Sequence, residues 1–79
     1  MNPRVRKVTP LPGYRLEIVF SNNEQGLYDC SHLLGFGVFQ ELRDVTYFNK
    51  VLVCDGTIAW PNDQDICPDT IYNDAIKST

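Results

Sequence analysis

The stretch Trp60-Pro61-Asn62-Asp63-Gln64-Asp65-Ile66-Cys67-Pro68-Asp69-Thr70-Ile71-Tyr72 decides the fold of this chain. It holds the only tryptophan, two of the five prolines and three acidic residues. Asparagine and aspartate after Pro61 favour a turn, because their side chains hydrogen-bond the local backbone. Pro68 followed by Asp69 is typical of a first helical turn, where proline needs no N–H partner and a negative charge suits the helix dipole. We therefore interpret residues 60–72 as the joint between a strand that ends at Trp60, which is predicted to anchor the core, and a closing helix from Pro68 to about Lys77.

The chain before this joint shows the patterns of five strands. Residues 5–11 fit a short edge strand, because the nearby prolines cannot donate to a sheet ladder. After a predicted turn at Pro12-Gly13, residues 14–20 alternate apolar and polar side chains. A turn at residues 21–24 then leads to a third strand over residues 25–28. Residues 51–60 predict a hairpin around Asp55-Gly56, the strongest short hairpin signal.

Short helical segments separate these strands. Asp29 or Ser31 is a candidate cap for a helical turn through residues 33–34, which the following glycines end. Apolar residues recur at helical spacing over residues 38–49, with a predicted break at Asp44, which would cap the second piece. The chain is thus predicted to be α+β, with a small antiparallel sheet of about five strands and two or three short helices packed on it.

Composition and length indicate one small globular domain over residues 1–79. The chain is 43% apolar and 22% charged, near the lower size limit for a single unstapled core. No run approaches the roughly 18 apolar residues of a membrane span, and residues 1–4 lack the apolar run of a secretory signal. Three cysteines, an odd number, agree better with reduced thiols than with disulfides. We predict a cytoplasmic protein.

The sequence allows two kinds of site that use cysteine, a zinc site and a thiolate nucleophile. Cys30, His32, Cys54 and Cys67 form an allowed structural zinc set. The chain has no Cys-x-x-Cys motif, however, and the strand pattern allows Cys54 to face the core, so we expect buried cysteines that behave as small hydrophobes. A thiolate nucleophile at Cys30 would require the His32 imidazole to contact the Cys30 thiol. No nucleophile motif surrounds these two residues, so we do not expect this chemistry. We predict no metal, no cofactor and no catalytic residue.

The acidic residues of the joint are a candidate calcium loop, because calcium takes several oxygen ligands. The EF-hand pattern fails, since Pro68 stands where its glycine should be and the closing glutamate is absent. Turn formation and capping account for Asp63 and Asp69 more simply. Asp65 is the residue that neither role explains.

Residues 1–15 contain four basic residues and no acidic residue. The basic residues are Arg4, Arg6, Lys7 and Arg15. The remaining residues carry ten acids against three basic residues, and the sequence pI is near 4.8. Clustered basic residues can contact phosphates, but they also deter aggregation on a solvated edge strand. This strand is a candidate interaction face for a second copy, another protein or, as a weaker alternative, nucleic acid.

Motifs over residues 3–73 resemble a known family. They are Pro3-x-Val5-x-x-Val8-x-Pro10-Leu11-x-x-Tyr14-x-Leu16, Phe20-x-Asn22, Tyr28-Asp29, Gly37-Val38-Phe39-x-x-Leu42-Arg43-Asp44 and Trp60-Pro61-Asn62-x-x-Asp65-Ile66-Cys67-Pro68-Asp69-Thr70-Ile71-Tyr72. Together they resemble the bacterial family called domain of unknown function 2442, of which the last motif is the most specific. Relatives often have Asn-Gly where this sequence has Asn62-Asp63.

The resemblance implies a small α+β fold. It also implies members that are bacterial or phage-borne, some with an added helix-turn-helix domain and many beside a small uncharacterised protein in a toxin–antitoxin-like gene pair. We expect no such DNA-binding domain here, because the sequence ends at Thr79. The family has no established catalytic residues to transfer.

We therefore predict a non-enzymatic protein-interaction or regulatory module, antitoxin-like in a two-protein system, with a protein partner and a homodimer as an expected assembly. The alternative is a small enzyme or ligand-binding domain with a site around Asp65 and Trp60. The second alternative is nucleic-acid binding through the basic strand. The candidate signature residues are Trp60, Asn62, Asp65, Cys67, Asp69 and Tyr72.

Overall fold

A computed structural model describes residues 2–77. Within them, strands and short helices alternate along the chain. The strands are β1 (Val5–Leu11), β2 (Arg15–Phe20), β3 (Gln25–Asp29), β4 (Leu52–Cys54), β5 (Thr57–Ala59), β6 (Asp65–Ile66) and β7 (Ile76–Lys77). The helices are two 3-10 helices, Ser31–Leu33 and Gly37–Arg43, and two α-helices, α1 (Val45–Phe48) and α2 (Pro68–Asp74). The predicted α+β class is confirmed, with seven strands in two sheets where about five in one sheet were expected.

The first sheet has the order β1-β2-β3-β7 and is antiparallel throughout. Its inner face follows the alternation read from the sequence, since Leu16, Ile18 and Phe20 of β2 are buried while Arg15 and Glu17 are exposed. β1 is an edge strand, as its prolines predict.

The second sheet has the order β4-β5-β6. The predicted hairpin is confirmed, because Asp55 and Gly56 both adopt positive φ, as a type I′ turn requires. The two-residue strand β6 was not predicted; it pairs Ile66 with Ile58 of β5. The backbone N–H of Val5 donates to the Gly56 carbonyl at 2.8 Å and so joins the two sheets.

The predicted break at Asp44 is confirmed. Its carboxylate accepts a hydrogen bond from the Thr46 N–H at 3.0 Å and caps α1. The piece before the break is a 3-10 helix, whose tighter turn moves side chains off the predicted apolar stripe. Leu42 is buried as predicted, but Val38 and Val45 are 67% and 57% exposed.

The closing helix is shorter than predicted. It ends at Asp74 because Ala75 turns extended and the next residues pair with β3, Ile76 opposite Leu27. Ile71 and Ala75 are buried, whereas Ile76 is 75% exposed. Backbone pairing with an open sheet edge therefore takes the place of a third helical turn.

One apolar core lies between the two sheets and the helices. Its buried residues are Val5, Leu16, Ile18, Phe20, Tyr28, Cys30, Leu42, Tyr47, Phe48, Ile58, Trp60, Ile66, Ile71 and Ala75. The prediction of buried cysteines holds for Cys30 alone. Cys54 and Cys67 are exposed, Cys54 because every residue of the edge strand β4 is exposed. Among residues 2–77, no helix is long and apolar enough to cross a membrane.

Candidate functional site

Trp60 is a core residue. It is 2% exposed, and its indole N–H donates to the Phe48 carbonyl at 2.9 Å. The turn that follows is closed by two backbone bonds, from Asp63 N–H to the Trp60 carbonyl and from Trp60 N–H to the Gln64 carbonyl. Asp63 has a φ of 72°, the left-handed region that glycine adopts freely. The predicted turn and the predicted anchoring role of Trp60 both appear in this arrangement.

Gln64 is buried and is fully hydrogen-bonded. Its side-chain carbonyl accepts from the Tyr47 hydroxyl at 2.6 Å. Its amide donates to the Val38 carbonyl at 3.0 Å and to the Glu41 carboxylate at 2.9 Å. Buried polar groups are costly without partners, so this set of bonds fixes the 60–64 turn against the second 3-10 helix and α1.

Asn62 belongs to the same network. Its backbone N–H donates to the Tyr47 hydroxyl oxygen at 2.9 Å, and its side-chain amide donates to the Glu41 carboxylate at 2.7 Å. The hydrogen bonds from Asn62 and Gln64 stabilise the ionised form of Glu41 and lower the pKa of that carboxyl. We call Tyr47, Glu41, Asn62 and Gln64 the turn network.

Asp65 and Cys67 lie on the surface beside the turn network. Asp65 pairs with Ala59 through the backbone of β6, and its side chain is exposed. Cys67 precedes α2, where its carbonyl accepts the Ile71 N–H at 3.0 Å. Burial of Trp60 and exposure of Asp65 put the two residues of the predicted ligand site in opposite environments.

Asp69 and Tyr72 face the beginning of the chain instead. Asp69 accepts a hydrogen bond from the Asn2 side chain at 3.2 Å. The Tyr72 hydroxyl donates to Glu24, which lowers the pKa of Glu24 and raises that of Tyr72. The Tyr72 ring stands edge-on to Phe20 at 4.9 Å. Tyr72 therefore holds α2 against the first sheet, and Asp69 joins α2 to the segment before β1.

A cleft of about 340 Å³ lies elsewhere, between the β1–β2 turn and α1. It is lined by Pro10, Leu11, Pro12, Gly13, Tyr14, Val45, Phe48 and Asn49. We call it the apolar cleft. None of the six signature residues lines it, and no charged residue does.

Two aromatic rings shape the apolar cleft. Phe48, 2% exposed, meets Tyr14 edge-on with ring centroids 5.5 Å apart. Tyr14 has a φ of 59°, rare for a bulky residue, directly after Gly13 at 82°. Its hydroxyl donates to the Arg43 carbonyl and so leaves the cleft with few free polar groups. The strained turn is thus held by contacts of the ring and the hydroxyl.

A second cavity of about 500 Å³ lies at the β3–β7 edge of the first sheet. Leu27 and Ile76 supply its apolar part, and Asp29, His32 and Asp74 supply polar groups. Asp65 lines neither this cavity nor the apolar cleft. Neither of these two cavities supports a ligand site at Asp65, and that hypothesis stays a prediction.

Comparison with known proteins gives the family. The model of the family described as "Protein of unknown function (DUF2442)" matches residues 5–77, nearly the whole chain. The chain belongs to the DUF2442 family. The resemblance drawn from the sequence motifs is thereby confirmed. No curated protein matches the chain, and no solved structure matches it.

The basic residues of the DUF2442 chain are dispersed. Lys7 and Arg15 lie on the outer face of the first sheet, where Lys7 stands opposite Val19 and Arg15 stands opposite Leu11. The cross-strand pair between these two contains Glu17. On its other side, Arg15 stands opposite Asp29 of β3. Acidic side chains therefore interrupt this face.

Arg4 and Arg6 occupy other places. The Arg4 stem packs over the β4–β5 turn, where a Cβ built on Gly56 would lie 2.8 Å from the Arg4 Cδ. Arg6 sits at an irregularity of register between Val5 and Lys7. A basic face for nucleic acid stays a prediction.

The cysteines of the DUF2442 chain are free thiols. Burial raises the pKa of Cys30 to about 12, which disfavours the thiolate that a nucleophile needs. His32 is exposed, and its ring lies edge-on to the Tyr28 ring with the two centroids 5.9 Å apart. In the described part of the chain, no three histidine, cysteine or acidic residues are placed to hold a metal ion together.

The sequence did not predict the role of the residues that matter most in the turn network and in the apolar cleft. Gln64 lies inside a polar run, Asn62 to Asp65, where nothing distinguishes a buried amide from a solvated one. Val45 was assigned to a buried helix face. The turn residues Pro10 to Tyr14 carried a visible signal, two prolines and a glycine before an aromatic, but only their role in the turn was recognised.

Proposed function

We propose that this DUF2442 chain is a non-enzymatic protein-interaction module that binds its partner through the apolar cleft. The cleft carries this proposal, because it combines a concave apolar surface with an exposed rim. Val45 on its rim is 57% exposed although it is aliphatic. Exposed apolar surface of this kind is typical of protein-interaction sites.

The lining of the cleft supports binding over catalysis. Most of its side chains are apolar, and the Tyr14 hydroxyl is engaged with the Arg43 carbonyl. Asn49 contributes an amide that does not titrate near neutral pH. The central contacts of protein interfaces have the same character, with aromatic residues enriched and charged residues depleted.

Capture from an extract of the native organism tests this function. The tagged chain is used as wild type, as Val45→Glu and as Ile76→Glu, a matched change at an exposed aliphatic residue that lines the other cavity. We expect wild type and Ile76→Glu to retain the same near-stoichiometric protein. Val45→Glu should reduce its recovery at least about tenfold, because it places an unpaired charge in an apolar contact.

Equal recovery with all three baits would contradict a role for the cleft. Circular dichroism and denaturation of the three proteins serve as the folding control. Val45 is the first residue of α1, where a glutamate suits the helix dipole, so the substitution should leave the fold intact.

At a finer level, we propose that the partner is a neighbouring small protein and that the chain acts as its antitoxin-like regulator. The gene context implied by the family resemblance supports this proposal. Co-expression of the neighbouring protein with wild type, Val45→Glu or Ile76→Glu tests it. Growth restored by wild type and Ile76→Glu but not by Val45→Glu is expected, and growth unaffected by any of them would contradict it.

A further inference from the structure

The cavity of about 500 Å³ at the β3–β7 edge of the first sheet is acidic. The Asp29 and Asp74 carboxylates lie on its lining, and no lysine or arginine is among the described residues that line it. The two carboxylates outnumber the single imidazole of His32, so the lining is negative at neutral pH. We call this space the acidic cavity.

The two carboxylates of the acidic cavity differ in their own contacts. Asp29 accepts a hydrogen bond from the Ser31 N–H at 2.8 Å, and this bond lowers the pKa of Asp29, so the carboxyl is ionised at neutral pH. Asp74 is the last residue of α2, and its side chain is exposed. Within residues 2–77, no hydrogen bond or ion pair engages the Asp74 carboxylate, which leaves it free to bind a cation.

Tyr28 gives the acidic cavity a buried hydroxyl without a partner. Its side chain is 2% exposed, it lines the cavity, and its hydroxyl makes no hydrogen bond within residues 2–77. In that part of the chain every fully enclosed side-chain polar atom has a partner, so the Tyr28 hydroxyl reaches the cavity surface. Buried polar groups are costly without a partner, and this hydroxyl is therefore suited to a ligand group that enters the cavity.

The Tyr28 hydroxyl lies in the field of both carboxylates. Burial raises the pKa of Tyr28 to about 12, and the charges of Cys30, Asp74 and Asp29 contribute to the rise. The hydroxyl stays protonated at neutral pH, so its oxygen can accept a hydrogen bond while the carboxylates supply negative charge. The two carboxylates and the hydroxyl together favour a cationic donor.

An apolar pair borders these polar groups. Leu27 of β3 stands opposite Ile76 of β7, and their side chains are 38% and 75% exposed. Residues opposite one another on antiparallel strands lie side by side on one face of the sheet. The acidic cavity therefore offers apolar contact beside its negative charge.

We propose that the acidic cavity binds a primary ammonium group on an alkyl stem, supplied by a free alkylamine or by a lysine side chain. The ammonium donates to the Asp74 carboxylate and to the Tyr28 hydroxyl oxygen, Asp29 adds negative charge, and the stem covers Leu27 and Ile76. Hydrogen bonds between charged groups are stronger than neutral ones, which favours an ammonium over a neutral donor.

This site goes beyond the proposed function. The acidic cavity and the apolar cleft share no lining residue, so the two can be tested separately. An ammonium ion needs fewer protein ligands than a metal ion, for which the described part of the chain brings together no set of three. The inference is thus a site for an organic cation.

Titration of the purified, ¹⁵N-labelled full chain with hexylammonium tests this site. Saturable changes of amide chemical shift should be concentrated at Leu27, His32, Asn73 and Ile76, which line the cavity. Hexanol and hexanoate have the same stem with a neutral or a negative head, and they should bind at least about fivefold more weakly. Nα-acetyl-lysine amide is the second probe. Equal affinity for it would indicate a lysine side chain as the source of the ammonium, and weaker affinity would indicate a free amine.

Three variants identify the groups that bind the ammonium. Asp74→Asn should weaken hexylammonium binding at least about fivefold, and Tyr28→Phe should weaken it at least about threefold. Asp65→Asn removes the same charge from an exposed position on the second sheet and should bind like wild type. The denaturant midpoint of Tyr28→Phe should not fall, because the hydroxyl has no hydrogen bond to lose within the described chain. Loss of binding with an unchanged midpoint separates a role in the site from a role in the fold.

Three results would each overturn the ammonium site. Hexanol that binds as tightly as hexylammonium would leave only apolar contact in the cavity. Equal binding by Asp74→Asn and Asp65→Asn would show that net charge alone attracts the probe. Shift changes spread over the chain without saturation would show that no defined site exists.

Discussion

The turn at residues 60–64 and the loop at residues 35–38 are short segments of similar length with opposite roles. The first buries the side chains at its two ends, Trp60 and Gln64, and the Gln64 side chain is hydrogen-bonded to three groups. The second keeps its backbone fixed and exposes Phe36 and Val38. The segment that opens the most specific family motif therefore stabilises the fold, whereas the loop at residues 35–38 leaves two apolar side chains exposed to solvent.

This difference follows from how each segment uses its residues. A buried indole and amide must have exact partners, because an unpaired polar group in the core is costly. An exposed phenylalanine has no such requirement within its own chain and gains most from a partner that covers it. Variants in the two segments should accordingly change different measurements.

The largest effect is expected at Trp60. Trp60→Ala should lower the free energy of unfolding by about 3–5 kcal/mol, because it removes a large buried ring and leaves a cavity. Phe36→Ala should change it by no more than about 0.5 kcal/mol, since exposed sites rarely contribute more. Chemical denaturation measures both. Losses of equal size would show that the Phe36 ring is packed in solution and would break the contrast between the segments.

A smaller loss is expected at Tyr47, whose hydroxyl donates to Gln64 and accepts from the Asn62 N–H. Tyr47→Phe should cost about 1–3 kcal/mol, because it leaves a buried acceptor and a backbone donor without their partner. Gln64→Leu should cost a similar amount. In a double-mutant cycle the two losses should be less than additive, by about 0.5–3 kcal/mol. Simple additivity would mean that the bond between these side chains contributes little.

Glu41 gives the turn network a pH dependence. Its pKa is lowered in the folded chain, so its contribution to stability is present above its ordinary pKa of 4.5 and disappears as pH falls through the lowered value. The denaturant midpoints of wild type and Glu41→Gln should differ at pH 7 and converge toward pH 3. Glu17→Gln, an exposed position on the outer face of the first sheet, is the control for general acid destabilisation. A difference that does not change with pH would contradict the assignment.

The sequence predicted local structure where a residue type determines the backbone. Asp55-Gly56 gave the hairpin and Asp44 gave the helix break, because positive φ and capping depend on neighbours along the chain. The alternation of β2 gave the inner face of the first sheet. Trp60 was correctly assigned to the core, since large aromatic side chains dominate burial.

What the sequence could not give depends on long-range partners. Gln64 is buried because Tyr47 and Glu41 arrive from seventeen and twenty-three residues away. The helix after Pro68 stops early because β3 offers an unpaired edge to Ile76. The apolar cleft forms from two segments, the β1–β2 turn and α1, whose approach no local pattern encodes.

The smallest effect is expected at Asp65, which local patterns left unexplained. β6 is an edge strand of the second sheet, and a charged side chain on an exposed edge deters pairing with other chains. Asp65→Asn keeps the shape and backbone pairing, so the free energy of unfolding should change by less than about 0.5 kcal/mol. Cleft-dependent capture should also be unchanged, because Asp65 does not line the apolar cleft. A folded Asp65→Asn protein that no longer captures its partner would move the functional site back to the family motif.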